Sequence, residues 1–371
     1  MIEMILFIVM GVYFASYVFG VMWILMGLFF PHRVFSKKQP KVSVIVAARN
    51  EADNIRYCAE SLAAQDYPKD QYEIILVNDR SEDQTLAIMQ AFVKKFPEQF
   101  RIVSVQDKPL DASGKKYALK QGIEAAVGEI LLFTDADCTV GPQWITTMAS
   151  YFSDKTDFVI GFSEVRAVTT FERWQRTDFL AMMIAAAGVS NLGMPWSASG
   201  QNLAYRRKAY DAVGGLDPIM HRISGDDILM MNRMRQNGAG IVFAMHPGAY
   251  VQTEPVPDWS TFMRQRARWA SNGPIMLRYN LWFFCYLTII YGVCLGLITS
   301  LAAGIFLKPW LWLGGFMLVV KAIVDSAAMM IGSRQLQKKV SPTDFIYWFA
   351  VQPFYVVWSG MRGMLGIFTW K

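Results

Sequence analysis

Histidine and cysteine are scarce in this chain, three of one and four of the other among 371 residues. Cys58, Cys138, Cys285 and Cys294 show neither metal-site spacing nor a disulfide framework, and they say little about redox compartment. His32, His221 and His246 read as structural residues. Charge is sparse as well. Charged residues make up 18% of the chain against 53% hydrophobic, which is apolar for a soluble protein, and the apolar residues are clustered. The net charge is +6. Lys and Arg form no single stripe and several flank apolar runs, which argues against nucleic acid and for attraction to anionic lipid. No internal repeat or low-complexity tract is present.

Two runs lack charge altogether. Met4 to Phe30 and Leu281 to Leu307 are each 27 residues long, beyond the ~20 that span a bilayer. The first has no basic start and no small-residue cleavage site, so it reads as an anchor and not a signal peptide. Arg33, Lys37, Lys38 and Lys41 follow it, and the positive-inside rule makes the next segment cytoplasmic. Trp310 to Gly332 is a further span, interrupted by Lys321 and Asp325. Arg334, Lys338 and Lys339 then mark a cytoplasmic loop. Phe345 to Trp370 is a fourth apolar segment, broken by Pro353 and Arg362, that either spans or lies in the interface. The expected division is an N-terminal transmembrane anchor over 1–32, a catalytic-sized domain over 40–275 and a C-terminal transmembrane region over 280–371.

Between the apolar runs the pattern changes. VSVIVAA (Val42–Ala48), EIILVND (Glu73–Asp79), RIVSVQ and Ile130–Phe133 read as strands. Helices over Glu51–Gln65, Glu82–Phe96 and Lys115–Ala126 separate them, and Ser81 with Gln84 has capping-box spacing. Strands recur about every thirty residues, the size of a βαβ unit. The expected fold is α/β with a mostly parallel, doubly wound sheet, the second strand lying beside the fourth. The first strand–helix turn, ARNEADN, lacks G-x-G-x-x-G, which argues against a dinucleotide-binding domain. Further on, FVIGFSEV (Phe158–Val165) and NLAYRR (Asn202–Arg207) read as strands. Phe171–Val189 reads as a Met- and Ala-rich helix packed in a core, Asp226–Gln236 as a helix, and Trp259–Ala270 as a basic, aromatic helix.

The stretch GEILLFTDADCTV (Gly128–Val140) organises the chemistry. A buried strand ends in Asp135-Ala136-Asp137, and two carboxylates there are costly to hold without a cation. Ligands bind at that end of the strands in open α/β sheets. Hard oxygen ligands suit Mg²⁺ or Mn²⁺, held by one or two carboxylates plus phosphates. Asp135 and Asp137 therefore read as a metal–diphosphate site. Asp79 ends the second strand, where a carboxylate can accept a hydrogen bond from an imide N–H such as that of uracil. Asp226-Asp227 opens a helix, where capping is the alternative use. Gln265, Arg268 and Trp269 share one helix face at i, i+3, i+4 spacing. Arg suits bidentate contact with a diphosphate and Trp offers a flat surface for a sugar ring. A basic helix on the membrane surface accounts for Arg264 and Arg266 better than for Gln265 and Trp269.

Five stretches in order, VSVIVAARNEADNI, VNDRSED, DAD, SGDDILMMNRM and QRARW, resemble the family 2 glycosyltransferases. More narrowly, the chain resembles the membrane-embedded branch that includes cellulose, chitin and hyaluronan synthases and ceramide glucosyltransferase. The resemblance covers Lys41 to about Gly273 closely and the flanking spans in layout. It implies a GT-A fold with the catalytic domain in the cytoplasm. It also implies that Ala47, Glu51 and Asp79 contact the nucleoside and that Lys115 lies near the donor. Asp226 and Asp227 fall in its catalytic motif, Asp227 as base, and Asp226 stands where many members have Glu. SGQNLAYRR and VGGLD (Val213–Asp217) match its acceptor-side region.

The expected activity is inverting, metal-dependent transfer from a nucleotide-sugar, a UDP-sugar, to a lipid or lipid-linked hydroxyl. The bilayer is a partner and nucleic acid is not. A processive polysaccharide synthase is the alternative. The three C-terminal segments total only about ninety residues and offer few sugar-binding groups, which favours limited transfer. A non-catalytic sugar- or lipid-binding protein on the same fold would be favoured by loss of Asp227 or the D-x-D, and both are present. A transporter leaves the large soluble insert unexplained. The sugar, the acceptor and the oligomeric state are not legible in the sequence.

Overall fold

A computed structural model of the chain describes residues 2–32, 36, 38–110 and 112–367. Arg33 and Lys37 of the basic flank, and Trp370 at the end of the last apolar segment, lie outside them. The described residues fall into two compact units. One draws on residues 31–166 and 193–254, the other on 1–30, 167–192 and 255–371. The linear division is thus crossed, because 167–192 and the stretch from 255 group with the apolar helices.

The chain opens with α1 (Ile2–Gly27), β1 (Val42–Ala48), α2 (Ile55–Ala63), β2 (Tyr72–Asn78), α3 (Thr85–Lys95) and β3 (Phe100–Ser104). Next come α4 (Gly114–Ala125), β4 (Ile130–Phe133), β5 (Cys138–Val140), α5 (Trp144–Ser150), β6 (Phe158–Gly161) and β7 (Ser163–Val165). After α6 (Thr170–Asn191) follow β8 (Leu203–Arg206), α7 (Arg207–Ala212), α8 (Ile228–Gln236), β9 (Ile241–Ala244) and β10 (Val251–Thr253). The last helices are α9 (Trp259–Ala270), α10 (Gly273–Tyr279), α11 (Leu281–Gly304), α12 (Lys308–Gln335) and α13 (Pro342–Met364).

In the α/β unit seven strands form one sheet in the order β3-β2-β1-β4-β8-β6-β9. Only β8 runs antiparallel to its neighbours β4 and β6. The expected mostly parallel α/β sheet is present. Its inner strands read as continuous Val, Ile and Leu because both faces are covered, and every residue of β4 is buried. One neighbour differs from expectation. β1 lies between β2 and β4, with Val42 opposite Tyr72 on one side and Ile130 on the other. Strand order therefore reverses between β1 and β4, and the crevice outside their C-terminal ends is where a doubly wound sheet binds ligands.

Other boundaries shift for local reasons. FVIGFSEV is two strands: β6 stays in the large sheet, while β7 joins β10 and β5 in a three-stranded one. Helix α3 starts at Thr85, not Glu82, because Ser81 does not cap it. The Ser81 Oγ accepts from the Asn50 N–H at 3.2 Å, and the Glu82 N–H donates to Asn50 Oδ1 at 2.9 Å. Helix α2 starts at Ile55 and α8 at Ile228, which leaves Glu51 and Asp226 in the turns ahead of them.

The helical unit comprises α1, α6 and α9–α13. Among the described residues three helices are long and apolar enough to cross a membrane: Glu3–Gly27, Leu281–Gly304 and Lys308–Gln335. Phe14, Tyr17, Val21, Val293, Leu297 and Met317 form a buried cluster among them. The pair Lys321 and Asp325 on α12 is buried here. Lys321 Nζ donates to Asp325 Oδ2 at 2.5 Å and to Gln352 Oε1 at 3.0 Å, and the Tyr17 hydroxyl donates to Asp325. A hydrogen-bonded pair of this kind offsets part of the cost of burying two charges. Helix α6 begins with the capping box of Thr169 and Glu172. Its Met- and Ala-rich stripe is packed inward as expected, with Met183, Ile184, Ala186 and Ala187 buried. Gly188 there meets Gly27 so closely that a Cβ on Gly27 would lie 1.9 Å from the Gly188 carbonyl oxygen.

Candidate active site

The crevice at the β1/β4 switch point is built from turns that leave the strand ends. The Asp79 N–H donates to the Ala48 carbonyl at 2.9 Å, tying the ends of β2 and β1 together. Arg80 adopts φ +55°, which folds its guanidinium back so that Nε donates to Asp79 Oδ1 at 2.8 Å. Asp79 is 5% exposed, and one of its oxygens is already held when it meets any base. A Cβ on Gly114 would lie 3.1 Å from the other, Asp79 Oδ2. The absence of a side chain at Gly114 therefore lets the start of α4 approach Asp79. Ala47 is half-buried near the end of β1. The Glu51 N–H donates to Thr85 Oγ1 at 2.8 Å, and its carboxylate accepts from Asn54 Nδ2 at 2.9 Å.

Lys115, the next residue of α4, joins two motifs distant in sequence. Its Nζ lies 2.7 Å from Asp135 Oδ1 and 3.7 Å from Asp226 Oδ2. Burial alone would weaken this ammonium, but the charges of Asp135 and Asp226 outweigh it and hold the group well above the ordinary lysine range. Asp137 shows the opposite balance. Burial, and then the negative charges of Asp135 and Glu51, push its carboxyl up to about 7, although the Cys138 thiol and Lys115 pull it back. Two acidic groups that cannot comfortably ionise together mark a place for added positive charge.

Asp226-Asp227 enters through Gly225, whose φ of +89° suits glycine in this turn. Asp227 is the N-cap of α8, not a residue inside it. Its Oδ1 accepts from the Ile228 N–H at 2.6 Å and its Oδ2 from the Gly200 N–H at 3.0 Å. An ionised carboxylate has about four lone-pair sites, so these bonds orient Asp227 and still leave it able to accept a proton. Burial and then Asp226 push its carboxyl up to about 6, against the two N–H donors and Lys115. Capping and acid–base chemistry are thus compatible uses of the same side chain. Asp135, Asp226 and Asp227 line one pocket with Lys115 and Gly200, walled by Phe133, Leu203, Tyr205 and Leu216.

Sequence reasoning passed over Lys116. It is fully buried, and its Nζ donates to the Ser224 carbonyl at 3.0 Å and to that of Arg222. Burial pushes its ammonium down to about 8. This lysine clamps the turn that delivers Asp226 and Asp227. A second lysine after Gly114 was the only signal in the sequence, and it reads there as a solvated helix start. Within SGQNLAYRR, Asn202 holds neighbouring segments together. Asn202 Oδ1 accepts from the Trp144 indole at 3.1 Å, and its amide donates to the Phe162 and Ala249 carbonyls at 2.8 Å each. His246 Nδ1 accepts from the Gly248 N–H at 3.1 Å, a structural role.

Gln265, Arg268 and Trp269 are not part of this crevice's unit. They lie on α9 in the helical unit. Arg266, for which a membrane-surface helix was the alternative use, is 7% exposed and bonded to buried Asp178. Among the described residues no group of three or more His, Cys, Asp or Glu could enclose a metal ion. Two carboxylates, completed by phosphate and water oxygens, are a ligand set that suits Mg²⁺ or Mn²⁺.

Residues 40–272 match the family described as "Glycosyltransferase like family 2". The chain is 30% identical over 262 residues to the probable glycosyltransferase YdaM of Bacillus subtilis strain 168, covering 67% of this chain and 59% of that protein. It is 29% identical over 247 residues to the beta-monoglucosyldiacylglycerol synthase of Synechocystis sp. strain PCC 6803, covering 63% of this chain and 48% of that protein. The chain thus spans roughly half to three-fifths of the length of these curated relatives. Its fold is that of a mannosyltransferase from Pyrobaculum calidifontis, solved with GDP-Man and Mn²⁺. The TM-score is 0.66 at 18% identity, over 97% of this chain and 98% of that one. The chain belongs to glycosyltransferase family 2.

Proposed function

We propose that this glycosyltransferase moves a sugar from a UDP-sugar to the hydroxyl of a lipid or lipid-linked acceptor, with inversion, at the cytoplasmic face of a membrane. The observation that carries this reading is the pocket in which Asp227, its carboxyl raised to about 6, sits with Lys115, which is paired to Asp135 of the D-x-D and to Asp226. A base works best with a pKa near the operating pH. Asp227 removes the acceptor proton as the new glycosidic bond forms. Asp226 keeps Lys115 charged beside it. Asp79 accepts from the imide of the base through its Oδ2, and Ala47 and Glu51 border the nucleoside. Gln265, Arg268 and Trp269 act on the donor, Arg268 as a diphosphate ligand and Trp269 as a platform for the sugar. One carboxylate is assigned to the reacting carbon, which favours a single displacement.

Asp135 and Asp137 fit a divalent cation because their mutual repulsion, with Glu51 nearby, is what a cation relieves. The chemistry a bound Mg²⁺ or Mn²⁺ supplies there is neutralisation of charge on the departing diphosphate. Three apolar helices and a relative named for diacylglycerol glucosylation support a lipid acceptor. Lys38 and Lys41 after α1, and Lys338 and Lys339 after α12, support a cytoplasmic catalytic face. The test is to screen UDP-sugars for donor hydrolysis and transfer, with Asp227→Asn alongside. That variant should keep UDP affinity and lose roughly 10²–10⁴-fold in kcat, the usual contribution of such a base. Retention of more than about a tenth of the wild-type rate would reject Asp227 in that role.

A further inference from the structure

The QRARW helix carries an arginine that the assignment of its neighbours leaves unused. Arg266 points inward and is 7% exposed. Its Nε and Nη2 donate to Asp178 Oδ2 on α6 at 3.2 and 2.7 Å. The other oxygen, Asp178 Oδ1, accepts from the Trp348 indole N–H at 3.0 Å and from the Tyr355 hydroxyl, both on α13. One carboxylate, 1% exposed, thereby ties α6, α9 and α13 together. A buried ion pair of this kind adds little net stability, although breaking it is costly, and its more general use is to fix one arrangement among several.

The arrangement it fixes involves two residues of the motif. Arg266 Nη1 donates to Gln265 Oε1 at 2.9 Å. That bond decides which way the Gln265 amide points. With that oxygen turned to Arg266, the amide nitrogen faces the other way, and it brings two N–H donors. The Arg266 guanidinium also lies 4.3 Å from the ring centres of both Trp269 and Phe262, at stacking distance. Phe179 on α6 adds a second contact to the Trp269 ring, centroid to centroid 6.3 Å. Since Asp178 neutralises Arg266 and both are shut from solvent, Arg266 is no phosphate ligand itself.

We propose that Asp178 and Arg266 are positioning residues of the donor motif. The pair sets the Gln265 amide with its N–H groups outward and holds the Trp269 ring, so that the motif presents donors and a flat face to an anionic sugar nucleotide. This rests on the reading above in which Gln265, Arg268 and Trp269 act on the donor.

The test uses the full chain in lipid nanodiscs and calorimetric binding of UDP and, in parallel, GDP, each with saturating Mn²⁺. Gln265→Ala should weaken binding of the nucleotide that wild type prefers. Arg266→Lys keeps the charge and loses the fork. It should weaken binding roughly three- to thirtyfold, within the coupling range of groups in one hydrogen-bond network. Gln265→Ala added to Arg266→Lys should then cost little more, because the amide is already unset. Asp178→Asn, of the same size and able to keep an acceptor for Trp348 and Tyr355, should reproduce both results and guards against a misfolded lysine variant. Additive losses, or wild-type affinity in Arg266→Lys and Asp178→Asn, would overturn the positioning role while leaving the donor reading intact. Unchanged affinity in Gln265→Ala would overturn the donor reading, and the positioning role with it.

Discussion

Lys115 Nζ lies 2.7 Å from Asp135 and 3.7 Å from Asp226, so a single ammonium spans the end of β4 and the turn before α8. These segments are ninety residues apart in the sequence, and their carboxylates meet through this lysine. Lys115 also lowers the pKa of Asp227. Replacing Lys115 by Met removes that help. The acid limb of kcat/KM, expected near pH 6 from Asp227, should move to higher pH, and kcat should fall. A pH–rate profile of the variant checks this. A limb that stays in place would mean that Asp227 is not the titrating base or that Lys115 does not act on it.

Asp137 gives a second pH dependence with a defined sign. Its folded-state pKa is raised to about 7 by burial and by Asp135 and Glu51, above the ~3.9 of a free Asp. Stability from the protonated form is fully present below the unfolded value and is lost as pH rises through about 7. Asp137→Asn should therefore raise Tm of the metal-free protein above pH 7, with the gain fading toward pH 4. Metal binding needs the ionised carboxylate, so Mn²⁺ affinity of the wild type should fall as pH drops through 7 and a proton should be released on binding. Calorimetry in buffers of different ionisation enthalpy reads that proton. UDP affinity unchanged by EDTA would remove the metal from the scheme.

Lys116 acts on geometry. Without its ammonium, the carbonyls of Arg222 and Ser224 lose their buried donor, and the turn carrying Asp226 and Asp227 is free to shift. Lys116→Met should cut kcat on the order of 10²-fold, the penalty for small misplacement of a reacting group. UDP affinity should change little, because Asp79 and Asp137 leave other strands. Loss of UDP binding equal to the loss of kcat would point instead to general collapse of the site.

These residues show what the sequence could and could not convey. The parallel sheet was legible because buried strands spell Val, Ile and Leu without interruption, and Asp135 and Asp137 because they end such a strand. Asp226-Asp227 was legible as a pair at a helix start with capping as one use, but not that Asp227 is the residue that caps α8, since helix starts depend on which N–H groups find partners. Lys116 was hidden because a lysine at a helix start looks solvated until the turn it clamps folds over it. Arg266 was hidden for a related reason. Three arginines on one helix look alike in sequence, and only Asp178, 88 residues away, turns one of them inward. The place of 167–192 in the helical unit was equally out of reach, because that helix lies in sequence between strands of the sheet.

The most direct measurement is of the product. Purified wild-type protein and Asp227→Asn, reconstituted with Mn²⁺, a panel of radiolabelled UDP-sugars and a total lipid extract, are assayed for label that partitions into organic solvent and then sized. A chloroform-soluble glycolipid carrying one or a few sugars, formed by the wild type and not by Asp227→Asn, is the predicted result. Label in a high-molecular-weight polysaccharide, or no Asp227-dependent transfer from any donor, would contradict it.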